Sequence, residues 1–555
     1  MPFLLPALVI NVVIILIPAL LTIAMAFVEW DGVSIPTFVG LDNFRTIFAD
    51  PVFFSAVLNN IKWTLIFLTV PIAIGLVAGS LLLVVRRGRT FFQIVYFLPL
   101  IIATVVIARV WQGMIYNPES GLVGWLKLYG FVLSDPLALP PTALYAVASV
   151  DLWHWWGFLA VIFFAALRQV DMAQIDAAML DGANFLQLMR YVLLPAIRPT
   201  ITLMMIMTVI WSFLVFDFVY VLTQGGPAYS SEVLSTLSYR YAFYDYTIGP
   251  AAAVALVISF FGLIATVFYV RIQQRERLMN QTVGSGTIAL SYLVLGIGAI
   301  IAMFPLALMV ISALKTSAEI VANPLALPSA LQWVNFSRAW TDARLGRSLL
   351  NSAELTGLTV VLICTTCSMA AYALARQAAP GGHWISTYLL ATTTLPIQLY
   401  LFPLYFGYAH LGLIDNVFAL SLVYTAIFSP FSIFLLRTYF LAIPKEIEEA
   451  AIMDGANRWQ VFYKVCLPLA SPGILTVAVI SGLNTWNEFL ISSTFLQSHD
   501  AQTAVVRFYT LGGQYSSDWG EIMAAAILIV APALVFFLLM QRRFIEGIAS
   551  GSVKG

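Results

Sequence analysis

Long apolar runs limit what this chain can fold into. The first of them, MPFLLPALVINVVIILIPALLTIAMAF, contains no charged residue. About 20 consecutive apolar residues cross the hydrocarbon core of a bilayer as a helix, and a helix satisfies its own backbone hydrogen bonds there. Similar runs recur along the 555 residues, of which 61% are hydrophobic and only 10% charged. We therefore predict an all-α integral membrane protein.

Twelve runs are candidate membrane spans, six in each half of the chain. In the first half they lie near 3–28, 61–85, 91–115, 143–167, 199–222 and 250–270, and in the second half near 288–313, 353–375, 384–408, 416–440, 472–496 and 521–541. In each half the loops after the even-numbered spans carry most of the arginine and lysine. The positive-inside rule marks these loops as cytoplasmic, and both termini are then expected in the cytoplasm.

Short repeated phrases indicate that the two halves share one design. AAMLDGAN at 177–184 returns as AAIMDGAN at 450–457, with six of eight positions identical. Asn43-Phe44 and Leu58-Asn59 return 292 residues later as Asn335-Phe336 and Leu350-Asn351. We predict two tandem six-helix halves related by pseudo-two-fold symmetry, at 1–280 and 288–555, with a polar, glycine-containing linker at 281–287.

The longer phrase lies in a cytoplasmic loop between the fourth and fifth spans of each half. There an acidic residue precedes Ala-Ala, a glycine follows four residues after the second alanine, and a hydrophobic-x-Leu-Pro sequence ends the segment. An amphipathic loop on the membrane surface explains one such segment, but it does not require matched Asp and Gly in two copies. The segments 176–195 and 449–468 resemble the EAA loop of permease subunits from binding-protein-dependent ABC importers, with Asp176 in place of the usual Glu.

This resemblance implies the fold of type I ABC importer permeases and indicates which partners this chain has. In that family the EAA loop docks on an ATPase subunit, so we expect two ATPase subunits, which hold ATP and Mg²⁺, and an extracytoplasmic solute-binding protein. No Gly-Lys dipeptide and hence no P-loop occurs in this chain, so we expect no cofactor, catalytic residue or metal in it. The residues assigned to ATPase coupling are Asp176, Ala177, Ala178, Asp181, Gly182, Glu449, Ala450, Ala451, Asp454 and Gly455.

The solute is indicated by a further resemblance. Residues 216–243 resemble the first-type subunit of the carbohydrate (maltose-type) branch, and 484–490 and 545–555 resemble its second-type subunit. A sugar-like solute and a bacterial plasma membrane, with its lipids, are therefore expected. The asparagines of the maltose-binding pattern are not reproduced, so the particular sugar or polyol stays open.

The phrase DLWHWWGF at 151–158 is the candidate solute site in the fourth span. It places Asp151, His154, Trp155 and Phe158 on one helical face, where rings stack on sugar C–H groups and a carboxylate accepts from hydroxyls. An interfacial aromatic belt explains the cluster equally well. Carrying the family's sugar contacts over by spacing from Asp176 adds Thr208, Trp211 and Ser212.

Several alternatives stay open at this level. Asp217, Asn484, Asn487 and Glu488 either line the pathway or cap helix ends. An ion-coupled secondary transporter with two parallel six-helix repeats is the main functional alternative. A membrane enzyme is disfavoured because the four histidines are scattered, and a net charge of zero gives no indication of nucleic acid binding.

Overall fold

A computed structural model describes residues 2–551 except positions 33, 86, 132, 343 and 394 and the segments 274–287, 377–380 and 515–517. Within helices, the side chains of 172, 185–186, 265–273, 288–290, 512–514 and 540–551 are also left undescribed. The predicted linker at 281–287 lies outside the described residues. The described part is mainly helical and contains only two short strands, which confirms the predicted all-α membrane fold.

Among the described residues, eight helical segments are long and apolar enough to cross a membrane as single spans. They are Leu5–Met25, Pro51–Val84, Pro140–Leu167, Arg198–Leu222, Ser291–Ala313, Leu345–Ala375, Val417–Ala442 and Trp519–Leu539. Two bent pairs raise the number to ten, and the helix Ile248–Gln273 covers the predicted span at 250–270 with a shorter described apolar part, Ile248–Ile264.

The third predicted span of each half is not one straight helix. Arg89–Ile101 bends by 95° into Thr104–Val110, which continues as the π-helix Trp111–Tyr116. The run at 384–408 divides into Gly382–Thr392 and Gln398–His410. Pro99 and Pro396 lie beside the two breaks, and proline both lacks the N–H that a helix needs and disfavours helical backbone in the residue before it. The predicted spans at 91–115 and 384–408 are therefore each broken into two helical segments.

Shorter elements connect the spans. On the side opposite the EAA loops they are Asp42–Ala49, Leu122–Lys127, Leu234–Phe243, Ser317–Ala322, Val334–Thr341, Leu490–Phe495, Ala504–Gln514 and the antiparallel strands Val28–Glu29 and Thr37–Phe38. The segment Arg198–Leu222 consists of the helices Arg198–Leu214 and Asp217–Leu222. The EAA loops contain Met172–Leu180, Phe185–Leu188, Met189–Leu193 and Leu194–Ala196 in the first half, and Lys445–Met453, Arg458–Gln460, Val461–Cys466 and Leu467–Leu469 in the second.

Matched asparagines make matched contacts in the two halves. Asn43 and Asn335 are buried and each donates its side-chain amide to two backbone carbonyls that end the first span of its half. The distances are 3.0 and 2.8 Å to Ala26 and Val28, and 2.9 and 2.8 Å to Ala313 and Lys315. A buried amide with two such acceptors fixes where the chain turns, and it does so identically in both halves.

A second matched pair works in the same way farther along. Asn59 and Asn351 lie near the start of the second span and are 2% exposed. Each donates to two carbonyls of the loop that precedes the last span, at 2.9 and 2.9 Å for Ser230 and Glu232, and at 2.7 and 3.1 Å for Asp500 and Gln502. The sequence repeat is thus a repeat of contacts.

The first span of each half packs against the other half. The helix Ile17–Met25 packs on Gln398–His410, and Leu5–Asn11 packs on Val417–Ala442. In return, Ile288–Ala313 packs on Pro51–Val84 and Arg89–Ile101. Exchange of the first spans therefore joins the halves along their length.

Hydrogen bonds fix both exchanged spans. Asn11 is fully buried, donates to the Ala426 carbonyl at 3.2 Å and accepts from the Tyr388 hydroxyl at 2.5 Å. On the other side, the carbonyl of Ile301 accepts from the Trp153 indole at 2.8 Å. Water is scarce at this depth, so each of these polar groups depends on its partner in the other half.

Candidate functional site

The glycine of the repeated phrase ends a helix in both EAA loops. Gly182 and Gly455 have φ values of +77° and +85°, the left-handed region that glycine adopts without strain. The amides around them bond back onto the last helical turn in a Schellman pattern. These bonds are Gly182 to Met179 at 3.3 Å, Ala183 to Ala178 at 3.4 Å, Gly455 to Ile452 at 3.0 Å and Ala456 to Ala451 at 3.0 Å.

The asparagine of the phrase starts the next helix. Asn184 and Gln187 exchange side-chain to backbone hydrogen bonds of 2.7 and 3.0 Å, and Asn457 and Gln460 do the same at 2.8 and 2.9 Å. This reciprocal arrangement is a capping box. Asp-Gly-Ala-Asn is thus a helix stop followed at once by a helix start, and a glutamine three residues after each asparagine is the sequence signal for it.

The two alanines that begin each repeated phrase have different roles. Ala178 is fully buried in a cluster with Leu188 and Val192, and its equivalent Ala451 is partly buried in the second half. Only a small side chain lets the first helix of the loop lie this close to the next one. Asp176, Ala177, Glu449 and Ala450 are exposed on the outer surface of the same helices.

The tip of each loop carries large apolar side chains that are exposed. Leu180 and Met453 are 88% and 86% exposed, and their neighbours Met179 and Ile452 are about half exposed. The acids Asp181 and Asp454 follow directly and are exposed too, as are Gly182 and Gly455. Large exposed apolar side chains rimmed by charge are typical of interaction surfaces. The ten residues predicted for coupling therefore form two matched segments, exposed except at Ala178 and, in part, Ala451.

Glu448 is a positioning residue that the sequence did not reveal. Its carboxylate forms an ion pair with Arg376 and accepts from the Tyr372 hydroxyl at 3.0 Å. Both partners lie at the end of the second span, so they tie the helix Lys445–Met453 to the bundle. The equivalent position in the first half holds the half-buried Ile175, and the two loops are thus anchored differently.

Three of the predicted solute residues form an aromatic group. The Trp155 ring lies 4.8 Å from that of Trp211, edge to face, and 4.9 Å from that of Phe158. Trp211 remains 40% exposed. The fourth and fifth spans of the first half thus present adjoining indole and phenyl rings.

The polar residues of the prediction lie beside this group or behind it. Asp151 Oδ1 is 3.5 Å from His154 Nδ1, and Asp217 interacts electrostatically with both. Thr208 and Ser212 are each 2% exposed, and the Ser212 hydroxyl donates to the Thr208 carbonyl at 2.7 Å. The structure therefore places Asp151 and His154 together, whereas Thr208 and Ser212 face the interior. Direct contact of any of them with a solute stays a prediction.

Two hydrogen bonds surround the bend in the third span of the first half, one between the halves and one within the first half. Asn487 donates to the carbonyl of Ile101 at 2.8 Å, and Thr104 donates to Asp217 at 2.9 Å. Glu488 instead caps the helix Leu490–Phe495, accepting from two of its amides at 2.8 and 3.0 Å and from the Tyr424 hydroxyl at 2.5 Å. Of the two interpretations left open for Glu488, capping matches these contacts.

A buried carboxylate holds the loop after the fifth span of the first half. Glu232 is 1% exposed and accepts from Arg240 at 2.7 Å and from Thr236 at 2.5 Å. Burial raises its pKa, while the Thr236 hydroxyl and the Arg240 charge oppose that rise. Gly225 has a φ of +83°, and a Cβ there would lie 2.6 Å from the carboxylate, so a glycine at this position lets the loop close over Glu232.

The fold and the paired loops define a multi-pass membrane transport protein with two homologous halves. Residues 71–278 and 364–549 match the family described as the binding-protein-dependent transport system inner membrane component. The matched segments cover most of the chain, and the chain belongs to this family. Its two matches agree with the two halves seen in the sequence and in the contacts.

Curated relatives extend the comparison. The chain is 33% identical over 268 residues to the diacetylchitobiose uptake system permease protein NgcG of Streptomyces coelicolor, which covers 48% of this chain and 89% of that protein. It is 33% identical over 261 residues to the arabinooligosaccharides transport system permease protein AraQ of Halalkalibacterium halodurans, covering 46% and 93%. These relatives are permeases for sugars, and they are transport subunits rather than enzymes.

A solved structure is also similar. It is a bacterial alginate ABC transporter in complex with an alginate pentasaccharide-bound periplasmic protein, with a TM-score of 0.42 and 23% sequence identity, covering 49% of this chain and 92% of that chain.

Proposed function

We propose that this chain forms the membrane pathway of an ABC importer for a carbohydrate or related polyol. An extracytoplasmic binding protein delivers the solute, and separate ATPase subunits dock on the two EAA loops. ATP and Mg²⁺ are bound by those subunits, and hydrolysis there supplies the free energy. The observation that carries the proposal is the pair of matched, exposed loop tips in a chain of the binding-protein-dependent transport family.

The loop tips suit a protein cleft. Burial of a large apolar side chain contributes roughly 1.5–3 kcal/mol, so Leu180 and Met453 each provide an anchor when covered. The exposed acids Asp176 and Glu449 lie on the same short helices and select a basic partner by charge. Two loops with one design call for two similar partners, which is why we infer two ATPase subunits.

The loops are also joined rigidly to the spans that must move. Helix Arg458–Leu469 meets Ser471–Asn487 at 74°, with the π-helix Val461–Cys466 within the first segment. A push on the loop tip is therefore transmitted to the fifth span. That span ends at Asn487, whose side chain bonds to the bend in the first half. Loop movement would thus change the contact between the halves, which alternating access requires.

The aromatic group supports a carbohydrate as cargo. Trp155, Phe158 and Trp211 adjoin one another, and the acid Asp151 lies on the same face as Trp155. The sugar relatives agree with this inference. The ion-coupled alternative is not favoured, since the family is one of binding-protein-dependent transport. We place the EAA loops and both termini in the cytoplasm of a bacterium, because the basic residues favour that side.

Charge reversal of the motif acids tests the docking. In membrane vesicles supplied with the cognate ATPase and binding protein, Glu449→Arg and Asp176→Arg are expected to lower ATP-dependent uptake at least tenfold, a loss of about 1.4 kcal/mol. Copurification of the ATPase is expected to fall as well, with normal amounts of the permease in the membrane.

Glu446→Arg is the matched control, because Glu446 is an exposed glutamate in the first turn of the same helix but outside the motif. It is expected to retain most uptake. Full uptake and full ATPase copurification in both motif variants would rule out the proposed docking surface.

A further inference from the structure

An open groove runs along the second half, starting at the end of the spans opposite the EAA loop. It measures about 1400 Å³ and lies between the helices Leu345–Ala375, Ser471–Asn487 and Trp519–Gly551. Its walls are mainly apolar and include Leu350, Trp486, Leu528, Val535 and Leu539. Leu350, Val535 and Leu539 are 56–73% exposed although they belong to membrane-spanning segments, so the groove opens toward lipid.

The equivalent place in the first half is filled by two stacked rings. Phe213 and Phe261 lie 4.8 Å apart with an angle of 18° between their planes. Phe213 is the counterpart of Trp486, by the same spacing that relates the two EAA phrases. The second half therefore keeps a large ring on its fifth span but lacks the ring that would stack on it.

In the first half, the ring that the second half lacks is on the last span. Gly249 and Gly520 are counterparts, because a Cβ on either would meet the buried asparagine of its half at 2.4 or 2.7 Å. Counting from these glycines, Phe260 and Phe261 correspond to Ala531 and Pro532. Both replacements line the groove and are exposed. The groove thus lies where the second half has Ala531 and Pro532 at the positions of two phenylalanines in the first half.

Arginines stand at the rim of the groove. Arg344 and Arg347 both line it, and Arg344 pairs with Asp500 at 3.4 Å in an exposed ion pair. Within the described residues, Arg347 has no carboxylate at ion-pair distance; Glu354 follows seven residues later on the same face, two turns deeper. Arg507 adds a positive charge close to Arg344, since both burial and that neighbouring charge lower the pKa of Arg507.

The end of the groove is closed by an aromatic side chain. A Cβ on Gly346 would lie 3.0 Å from the Trp340 indole, so the glycine lets this ring pack against the start of the span. Trp340 is 51% exposed. Tryptophan is enriched at the level of lipid headgroups, and guanidinium groups bind phosphate oxygens in two parallel hydrogen bonds. The arginines of the rim therefore match the phosphate of a phospholipid, and the apolar walls match its acyl chains.

We propose that this groove binds one glycerophospholipid. Arg347, assisted by Arg344, holds the phosphate, and an acyl chain lies along Trp486 in the space that Phe261 fills in the first half. The charge at the rim selects the phosphate and the apolar walls select the chain. The site is separate from the aromatic group that we assign to the solute, and it does not depend on the proposed transport function.

The test introduces into the second half the two phenylalanines that the first half has at the equivalent positions. Full-length protein is reconstituted in nanodiscs of phosphatidylglycerol, extracted in mild detergent, and its retained lipid counted by native mass spectrometry. The double variant Ala531→Phe/Pro532→Phe is expected to lower retention at least fivefold, and Arg347→Gln to lower it severalfold. Leu293→Phe adds a ring at an exposed position on another span, outside the groove, and is expected to retain the lipid.

A second arm separates phosphate recognition from simple filling of an apolar space. Nanodiscs that contain diacylglycerol as well as phosphatidylglycerol are expected to yield retained phospholipid in large excess. Equal retention of the two would overturn the role of the arginines. Unchanged phospholipid retention in the double phenylalanine variant, with an unaltered elution volume on gel filtration, would overturn the site itself.

Discussion

Trp155 lies at the centre of the aromatic group because it contacts a ring on each side, one on its own span and one on the next. Trp211 is the more exposed partner, and its removal deletes ring surface without opening a sealed core. An aromatic contact of this kind contributes about 0.5–1.5 kcal/mol beyond its buried area. Within the proposed solute site, the outer ring is therefore the one whose loss tests solute binding.

We expect Trp211→Ala to raise the solute concentration needed for half-maximal uptake roughly tenfold. Trp211→Phe keeps an aromatic ring and is expected to lose much less. Uptake measured over a range of solute concentrations in vesicles with the cognate ATPase distinguishes the two variants. If Trp211→Ala behaves as the unsubstituted protein does, the aromatic group has a structural role and the solute binds elsewhere.

Single residues differ in how well the sequence reveals them. Gly182 and Asn184 could be interpreted locally, because a glycine and an asparagine with a following glutamine are stop and start signals for helices. The same signals recur in the second half. Glu448 gave no such signal, because its partner Arg376 lies 72 residues away and nothing local distinguishes it from the exposed Glu449 beside it. Burial by tertiary contact separates the two glutamates.

The helix Lys445–Met453 depends on one buried ion pair for its position. The side chains of Arg376 and Glu448 are 10% and 11% exposed, so solvent screens them little. Breaking a buried pair from one side leaves an uncompensated charge, at a cost of about 3–5 kcal/mol. The first-half helix Met172–Leu180 has an isoleucine at the equivalent place and lacks this dependence.

We therefore predict that Glu448→Gln loosens one EAA loop and spares the other. Hydrogen exchange in Lys445–Met453 is expected to accelerate at least tenfold, while exchange in Met172–Leu180 stays unchanged, and uptake falls. Glu446→Gln, at an exposed site on the same helix, serves as control. Equal acceleration in both loops would show general destabilisation, and no acceleration would show that the ion pair does not anchor the helix.

At the level of elements, the apolar runs predicted most spans but not their shape. The third spans are bent or divided because prolines interrupt backbone bonding and because contacts such as Asn487 with Ile101 hold the bend open. The prolines were visible in the sequence. The contacts join residues nearly 400 positions apart and belong to the assembled halves, so hydropathy alone did not reveal the breaks.

The whole molecule is joined by exchange of its first spans, and Asn11 is the polar contact of one exchange. Replacing it by leucine leaves the Tyr388 hydroxyl and the Ala426 carbonyl without their partner. Loss of a buried partner costs about 1–3 kcal/mol, although polar contacts in membranes average less. The cost falls on the contact between the halves and not on either half alone.

We expect Asn11→Leu to lower the midpoint of thermal unfolding in detergent by a few degrees. Tyr388→Phe removes one hydroxyl and is expected to lower it less. The double variant Asn11→Leu/Tyr388→Phe is expected to be no less stable than Asn11→Leu, because both changes delete the same bond. Strictly additive losses would show that the two side chains act independently.

The two-half architecture was predictable because the repeated asparagines mark repeated contacts. The exchange of first spans was not, since an apolar helix carries little information about which neighbour it packs on. Asn11 stood out as a polar residue in the first span, but its partners lie on 388–429, in the other half. The pairing is decided only when both halves are present.

The exchanged first span is synthesised and inserted well before the helix on which it packs. Synthesis proceeds from the N-terminus at about 5–20 residues per second, so Leu5–Met25 enters the bilayer on the order of tens of seconds before Gln398–His410 exists. During that interval the helix is solvated by lipid alone, and its asparagine has no protein partner from the second half. A covalent link between the halves keeps the partner helix, which is synthesised later, at high effective concentration. The first span therefore packs against the second half of its own chain before it meets the second half of another molecule.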